Sequence, residues 1–480
     1  MENRLVVYPV PEGAVMQEDY LVRVRPLGTQ TWQSLPCYRV KIDMHDVREA
    51  SMAYFDFEGA VEVEITFPKF YTVYKTEIRP LSLGIQPLIE PRRVSFILKQ
   101  AVNLAVEINK DRFHNLHLFA GRLEKVPDGN GENVLMLEGN LEKACFLGDD
   151  INRKLEAMPE GRLLWIKPGL YYIGDFLWHI PSHTRVYLEG GVVIRGCLVC
   201  EHAEDIHIFG RGIFYQAHLD RFSGANGIRI SHCSNISLAG LIFINPPHYT
   251  VSLGQSKDIR IRNIKTFSCE GWSDGIDMMS CEDVMIEGGF LRTSDDCIAI
   301  YGSRWDNRGG SRRVTVRGTV LWADVAHPLM IGTHGNHEGE GDVIEDILFE
   351  DIDILEHHEF QPDYLGAMAI NAGDKNIVRN VTYKNIRIEP FEHGKVLDIQ
   401  VKWNRDYNPA PGRQIQGVRF EGLHVMTGDG EEPSVICGLD EGHPVEDVVI
   451  AGYFRDGKKV ENLREGNIAV GSFTRNICLE

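Results

Sequence analysis

The feature that most constrains this chain is a recurrence in its second half. From about residue 160 onward, short β-branched runs return between Asn, Asp, Gly and Ser turns, each with one comparable core position. These are Ile206, Ile236, Ile259, Val284, Val314, Ile347, Val381, Val418 and Val448, separated by 30, 23, 25, 30, 33, 34, 37 and 30 residues. A unit of that length cannot bury its own apolar face, so neighbouring units must stack into a solenoid. Segments such as Asp258-Ile-Arg-Ile-Arg-Asn-Ile and Asp346-Ile-Leu-Phe-Glu-Asp-Ile alternate with a period of two, which is the signature of strands. No unit holds a helix-length amphipathic segment, which disfavours leucine-rich and βαβ arrangements and leaves strands stacked in parallel, coil on coil. The expected fold is all-β, a right-handed parallel β-helix. Unequal steps imply loops projecting from single coils, at 302–312, 332–343 and 402–414, on a face open to binding.

Residues 1–147 lack that period. Separate strands at Leu5 to Tyr8, Tyr20 to Val24, Val61 to Phe67 and Val94 to Leu98 suggest an antiparallel β-sandwich domain. Asp149 to Met158 reads as a short capped helix that would cover the open end of the solenoid, so the β-helix domain is assigned to 148–480.

A formal charge of −19 excludes the broad basic footprint of a nucleic-acid binder, and no stretch is apolar enough to span a bilayer. The N-terminus lacks the basic start, apolar run and cleavage site of a secretory signal. A chain beginning natively at Met1 is therefore expected in the cytoplasm, and a longer precursor would allow secretion. Ten scattered cysteines have no disulfide-scaffold spacing and fit reduced thiols; Cys197 and Cys200 share CxxC spacing but sit in a strand-like run.

Two aspartate-bearing segments lie one short coil apart. Asp274, in Gly271-Trp-Ser-Asp-Gly-Ile-Asp277, precedes Asp295 and Asp296 by 21 and 22 residues. Parallel strands are about 4.8 Å apart, so these carboxyls should be neighbours, each suppressing ionisation of the others. Glycoside hydrolysis needs such a set, one carboxylic acid to protonate the leaving oxygen and another carboxylate to activate water or attack the sugar. Turn formation by Asp-Gly and Asp-Asp is the plainer reading of either segment alone.

Residues 161 to about 400 resemble the β-helix enzymes of glycoside hydrolase families 28 (polygalacturonases) and 49 (dextranases and isopullulanase). Ser273-Asp-Gly-Ile-Asp277 is similar to Asn-Thr-Asp-Gly-Ile-Asp of the former, Asp295-Asp-Cys-Ile-Ala-Ile300 to its Asp-Asp-Cys-Ile-Ala-Ile, and Ala326-His-Pro-Leu-Met-Ile-Gly-Thr333 to its histidine-bearing segment. Trp165-Ile-Lys-Pro-Gly and Tyr187-Leu-Glu-Gly-Gly resemble the opening coils of both families. A sandwich ahead of the helix resembles the family 49 plan. The resemblance implies an inverting hydrolase in which Asp295 protonates the leaving group, Asp274 and Asp296 hold and deprotonate water, and His327 tunes Asp295 or contacts sugar.

Where polygalacturonases carry Arg-Ile-Lys to grip a substrate carboxylate, this chain reads Gly366-Ala-Met-Ala-Ile-Asn371-Ala-Gly. Losing such a charge-assisted contact, worth roughly 1.5 to 3 kcal/mol, argues for a neutral, dextran- or pullulan-like glycan. Lys402 and Arg405 keep galacturonate-containing pectin fragments as the alternative. Trp272, Trp305, Trp322 and Trp403 fall within these coils or loops, where indoles stack on sugar faces or pack in the core. His248 and Tyr249, one coil before Asp274, form a candidate subsite. Tyr301 and Asn371 complete the substrate-binding set with Trp272, Trp305, Lys402 and Trp403. His334, His337 and Glu338 match no helical zinc motif, and no metal or cofactor is expected. A calcium-dependent β-helix lyase and a noncatalytic carbohydrate-binding solenoid are the readings from other classes.

Overall fold

The nine repeat positions stand in one continuous column. Ile206 pairs with Ile236, and the ladder continues through Ile259, Val284, Val314, Ile347, Val381 and Val418 to Val448, each directly beside the next. The residue before each of them has a left-handed backbone: Asp205, Asn235, Asp258, Asp283, Arg313, Asp346, Asn380, Gly417 and Asp447, with φ between 54° and 69°. Asn, Asp and Gly tolerate that region best, which explains their recurrence at this place in each unit. Arg313 is the exception, and its guanidinium is held by Asp283 and Glu282 of the previous coil.

The structure, a computed structural model, describes residues 3–67, 72–148, 150–361 and 364–480. Parallel strands in successive coils form a right-handed β-helix with a continuous interior of Ile, Val, Leu, Met and Cys. Parallel pairing begins with Val134–Leu137 and Cys145–Leu147, ahead of the 147/148 boundary, because these strands cover the edges of Arg162–Ile166 and Gly169–His179. The short helix spans Asp150–Glu156 and buries Ile151 and Leu155 against that first coil; Asp149 lies outside the described residues. Among the described residues no helix is long and apolar enough to cross a membrane.

The N-terminal region forms two facing sheets around a core of Val24, Phe55, Val63, Leu104 and Leu118. It is not wholly antiparallel, since Asp111–Arg122 runs parallel to Arg48–Glu58. The outer side of one sheet packs on the flank of the helix, where Tyr38, Met52 and Phe119 meet Phe267, Phe290 and Trp322. Trp322 is fully buried there, with Arg292 stacked 4.0 Å from its ring, so it belongs to the core. Polar links add to the docking, among them Arg211 with Asp56 and Arg112 with Glu356. Arg79 binds Glu107 at 2.7 Å and Glu389 at 2.6 Å, and the Asn245 amide bridges both backbone groups of Lys41.

One column of short strands positions the candidate site: Val251–Gly254, Ile276–Met279, Ile298–Tyr301, Leu329–Gly332, Met368–Ala372 and Leu397–Val401. Strand alternation sends Ile276, Met278, Ile298, Ile300, Leu329 and Ile331 inward. Asp277, Met279, Ala299, Tyr301 and Met330 therefore face out.

Candidate active site

Asp274, Asp295, Asp296 and His327 all lie just ahead of successive strands of this column. Adjacent coils approach so closely there that a Cβ on Gly275 would stand 2.2 Å from the Cys297 carbonyl, which explains the glycine after Asp274. Ser268 ties the turns together: its hydroxyl donates to the Ser273 carbonyl and accepts from the Ser294 amide. The result is that one oxygen from each of Asp274, Asp295 and Asp296 lies within 4.8 Å of the others.

The three carboxyls have different surroundings. Asp295 accepts hydrogen bonds from the amides of Trp272 and Asp296, at 3.1 and 3.0 Å, and keeps one edge toward solvent. Burial and the neighbouring Asp296 outweigh those donors and push its pKa up to about 7. Asp274 is more deeply buried, and burial together with Asp277, Asp295 and Asp296 drives its pKa well up. Asp296 is held by His327, with Nδ1 2.6 Å and the backbone amide 3.1 Å from Oδ1. The other ring nitrogen of His327 lies 2.8 Å from the Tyr364 carbonyl. Both nitrogens thus face acceptors, and only the imidazolium donates to both. Burial opposes that charge, but Asp296 more than offsets it and the pKa rises to about 9. The Tyr301 hydroxyl donates to the second oxygen of Asp296 at 3.3 Å. Chemically, the cluster combines a partly accessible carboxyl that holds a proton near neutrality with a carboxylate stabilised by an imidazolium.

An aromatic rim surrounds these groups. Trp272 has a left-handed backbone (φ 65°), uncommon for a bulky residue, which turns its amide to Asp295 and leaves its indole 49% exposed. His248 lies 6.0 Å from Trp272 and 6.3 Å from Trp305, and Tyr249 stacks on Trp305 at 5.8 Å. Four of the expected substrate-binding residues, Trp272, His248, Tyr249 and Trp305, are therefore contiguous. Tyr301 lies beneath them.

Asn371, Lys402 and Trp403 are placed differently. The loops after Tyr301, Gly332 and Val401 weld together over the downstream strands: Asp342 accepts the Ser303 and Asn336 amides, and Asn376 donates to the His334 carbonyl. Met330, Ala369, Asn371 and Asp398 are buried below them. Lys402 is buried too, 3.3 Å from Asp398. Trp403 is exposed, with Arg405 over its ring and its indole N–H on the Asn408 carbonyl.

Sequence reasoning missed Arg304. Its guanidinium stacks over Tyr301 at 4.9 Å and Trp305 at 4.6 Å, donates to the Tyr249 hydroxyl, and makes no ion pair with a carboxylate among the described residues. It feels both Asp274 and Asp277 electrostatically. It also lines a cavity of about 270 Å³ with Trp305, Arg308, His334, His337 and Tyr407, and with two carboxyls, Glu338 and Asp374. Burial and Arg304 hold the His334 pKa down to about 3, so this ring is neutral. Only its position beside Trp305 in a polar insertion could have flagged Arg304. Asp277, fully buried with the Asp274 carboxyl as its neighbour, was likewise given no role; burial raises its pKa strongly despite Arg304. Grooves of about 560 and 710 Å³ lie on the sandwich and its junction with the helix, and one of about 580 Å³ lies on the helix flank at Asp346, Asn380 and Arg419, all away from this chemistry.

Asp274, Asp295 and Asp296 could chelate a cation by spacing alone. His327 and Arg304 already supply positive charge to the same carboxyls, so the residues present fit proton sharing better than a resident metal.

Fold and site together define a parallel β-helix protein with a carboxylate cluster on one strand column. The sequence profile of Glycosyl hydrolases family 28 matches residues 220–468, and the chain belongs to that family. The protein described as "Probable exopolygalacturonase B" from Neosartorya fischeri is 22% identical over 294 residues, 49% of this chain and 62% of that protein. The chain thus matches less than two thirds of this relative's length. Among solved structures, Dex49A from Penicillium minioluteum superposes with a TM-score of 0.64 at 14% identity, covering 99% of this chain and 96% of its own. The exopolygalacturonase from Thermotoga maritima gives 0.53 at 15% identity, covering 69% and 86%. At such identities these structures establish the shared fold.

Proposed function

We propose that the chain is an inverting glycoside hydrolase that removes sugar from the end of a galacturonate-containing chain. The observation that carries this reading is Arg304. A half-buried guanidinium with no carboxylate partner among the described residues faces a cavity of about 270 Å³ on the loops downstream of the carboxylate cluster. It supplies the cation whose absence at 366–373 favoured a neutral glycan, from a loop two coils earlier. Membership of family 28 and a relative described as an exopolygalacturonase support the same substrate class. The welded loops over Met330, Ala369 and Asp398 support end-wise action, because a long chain cannot lie along roofed strands.

Asp295 gives its proton to the leaving oxygen as the bond to the anomeric carbon breaks, and the bonding pair stays on that oxygen. Asp274 and Asp296 orient a water, and Asp296, paired with the His327 imidazolium, takes its proton as the new C–O bond forms. His327 holds Asp296 in place through the 2.6 Å contact. The carboxyl oxygens are closer than the about 6.5–9.5 Å usual for a two-carboxylate inverting site, so inversion rests here on the family.

A neutral α-glucan is the second reading, favoured by Ala369-Ile370-Asn371 on the downstream coil. A panel of polygalacturonate, galacturonate oligomers, dextran and pullulan, assayed for new reducing ends with wild type and Asp295→Asn, tests both. Monogalacturonate as the first product, lost in the variant, supports the proposal; cleavage confined to dextran or pullulan replaces its substrate class. The anomer first seen by NMR reports inversion. Ten unpaired cysteines support residence in a reducing compartment.

A further inference from the structure

Beside Trp272 the structure carries an exposed patch with no structural purpose of its own. Phe222, 70% exposed, and Trp272, 49% exposed, meet edge to face at 6.0 Å. Arg221 lies over both, 4.7 Å from the phenyl ring and 4.6 Å from the indole. Among the described residues its guanidinium makes no hydrogen bond and no ion pair, so its N–H groups are open to a ligand.

The backbone is shaped around this arginine. A Cβ on Gly271 would stand 2.7 Å from Arg221 Nη1, and the next atom met is Met44 Sδ at 3.7 Å, from the hairpin turn of the N-terminal sheet. Gly271 is thus the space that admits the guanidinium, and the sandwich domain closes that side. The patch adjoins the reacting groups, because the Trp272 amide donates to Asp295. His248 stands between it and Trp305, 6.0 and 6.3 Å from the two indoles, so it is separate from the Arg304 cavity.

We propose that Arg221, Phe222 and Trp272 form a second sugar subsite for a carboxylate-bearing residue of the substrate. The rings stack on the apolar face of the sugar, and the guanidinium pairs with its carboxylate in a bidentate contact. Every such pairing needs the planar fork, which lysine lacks. This deepens the substrate reading above and rests on it.

The test is calorimetric titration of the inactive Asp295→Asn protein with trigalacturonate and with isomaltotriose, alone and combined with Arg221→Ala, Arg221→Lys, Phe222→Ala or Gly271→Ala. Arg221→Ala should weaken trigalacturonate at least tenfold and leave isomaltotriose unchanged. Arg221→Lys should recover little of that loss. Gly271→Ala should reproduce it by displacing only the end of the Arg221 side chain, with far-ultraviolet dichroism unchanged. Unaltered trigalacturonate affinity in Arg221→Ala overturns the subsite. Binding of isomaltotriose alone, weakened by Phe222→Ala but not Arg221→Ala, retains an aromatic platform and overturns both its charge selectivity and the galacturonate reading. Absence of trigalacturonate binding to the parent overturns both proposals.

Discussion

The pKa of Asp295 sets a pH profile that an ordinary carboxyl could not produce. With its ordinary value of 3.8, roughly one molecule in 1,500 would hold the proton at pH 7. At about 7, raised by burial and by Asp296, half of them do. With Asp295 as the proton donor, kcat/KM for trigalacturonate falls about tenfold per pH unit above about pH 7. The ascending acid limb belongs to the cluster as a whole, since Asp274, Asp277 and Asp295 interact and their proton losses are shared. Asp295→Asn preserves the shape but cannot donate, and general-acid catalysis is worth about 10²–10⁴ in rate, so kcat should drop by that factor and the descending limb should vanish. A substrate with a strongly acidic phenol as leaving group needs little protonation, and its loss should be much smaller. Initial rates from pH 4 to 9.5, with stability checked at each pH, make the measurement. A descending limb near pH 4–5, or one that survives in Asp295→Asn, would refute the assignment of Asp295 as the acid.

Asp277→Asn should stabilise the protein at alkaline pH. Its folded pKa lies above the ordinary 3.8, so its stabilising contribution is complete below that value and is lost as pH rises through the folded value. The thermal midpoint of the variant should exceed wild type at pH 8 and converge with it near pH 4; a lower midpoint at pH 8 contradicts the burial argument. Arg79→Ala strands Glu107 and Glu389 without their cation, both at the sandwich–helix junction, and should cost about 3–5 kcal/mol in denaturant unfolding. Unchanged unfolding would mean that the remaining contacts, among them Asn245 with Lys41 and Arg112 with Glu356, hold the junction without Arg79. Trp272→Ala should raise KM several-fold through lost ring stacking while the thermal midpoint holds, and a fall in kcat alone would place the indole outside substrate contact. Activity should survive a divalent-cation chelator without forming an unsaturated product, read by ultraviolet absorbance, because His327 and Arg304 supply the positive charge; calcium-dependent unsaturation would favour a lyase.

The repeat of the β-helix was legible, though not its first strands at Val134–Leu137, because stacking aligns one inward side chain per coil and the sequence must repeat it whatever the loops do. Ile259, Val284 and Val314 could be matched by eye and prove to be neighbours. The proximity of Asp274 to Asp295 followed from the same arithmetic, one coil of about 21 residues. The sandwich was less clear: its strands pair across long separations, and nothing local marks Asp111–Arg122 as the parallel partner of Arg48–Glu58.

Electrostatic detail lay beyond linear reading. That Lys402 is engaged with Asp398 while Arg304 makes no carboxylate ion pair among the described residues depends on loops from three coils converging above the strands. Met44 reaches Gly271 only because Asn245 and Arg79 dock a domain whose residues lie about 200 or more positions away. By itself, then, the sequence determined the periodic skeleton and the carboxylates it stacks, since period and spacing are local properties of the chain. Which cations meet substrate, which faces are roofed and where the first domain closes the site were decided only by tertiary structure, because burial and charge pairing are set by whichever groups the folded chain brings together.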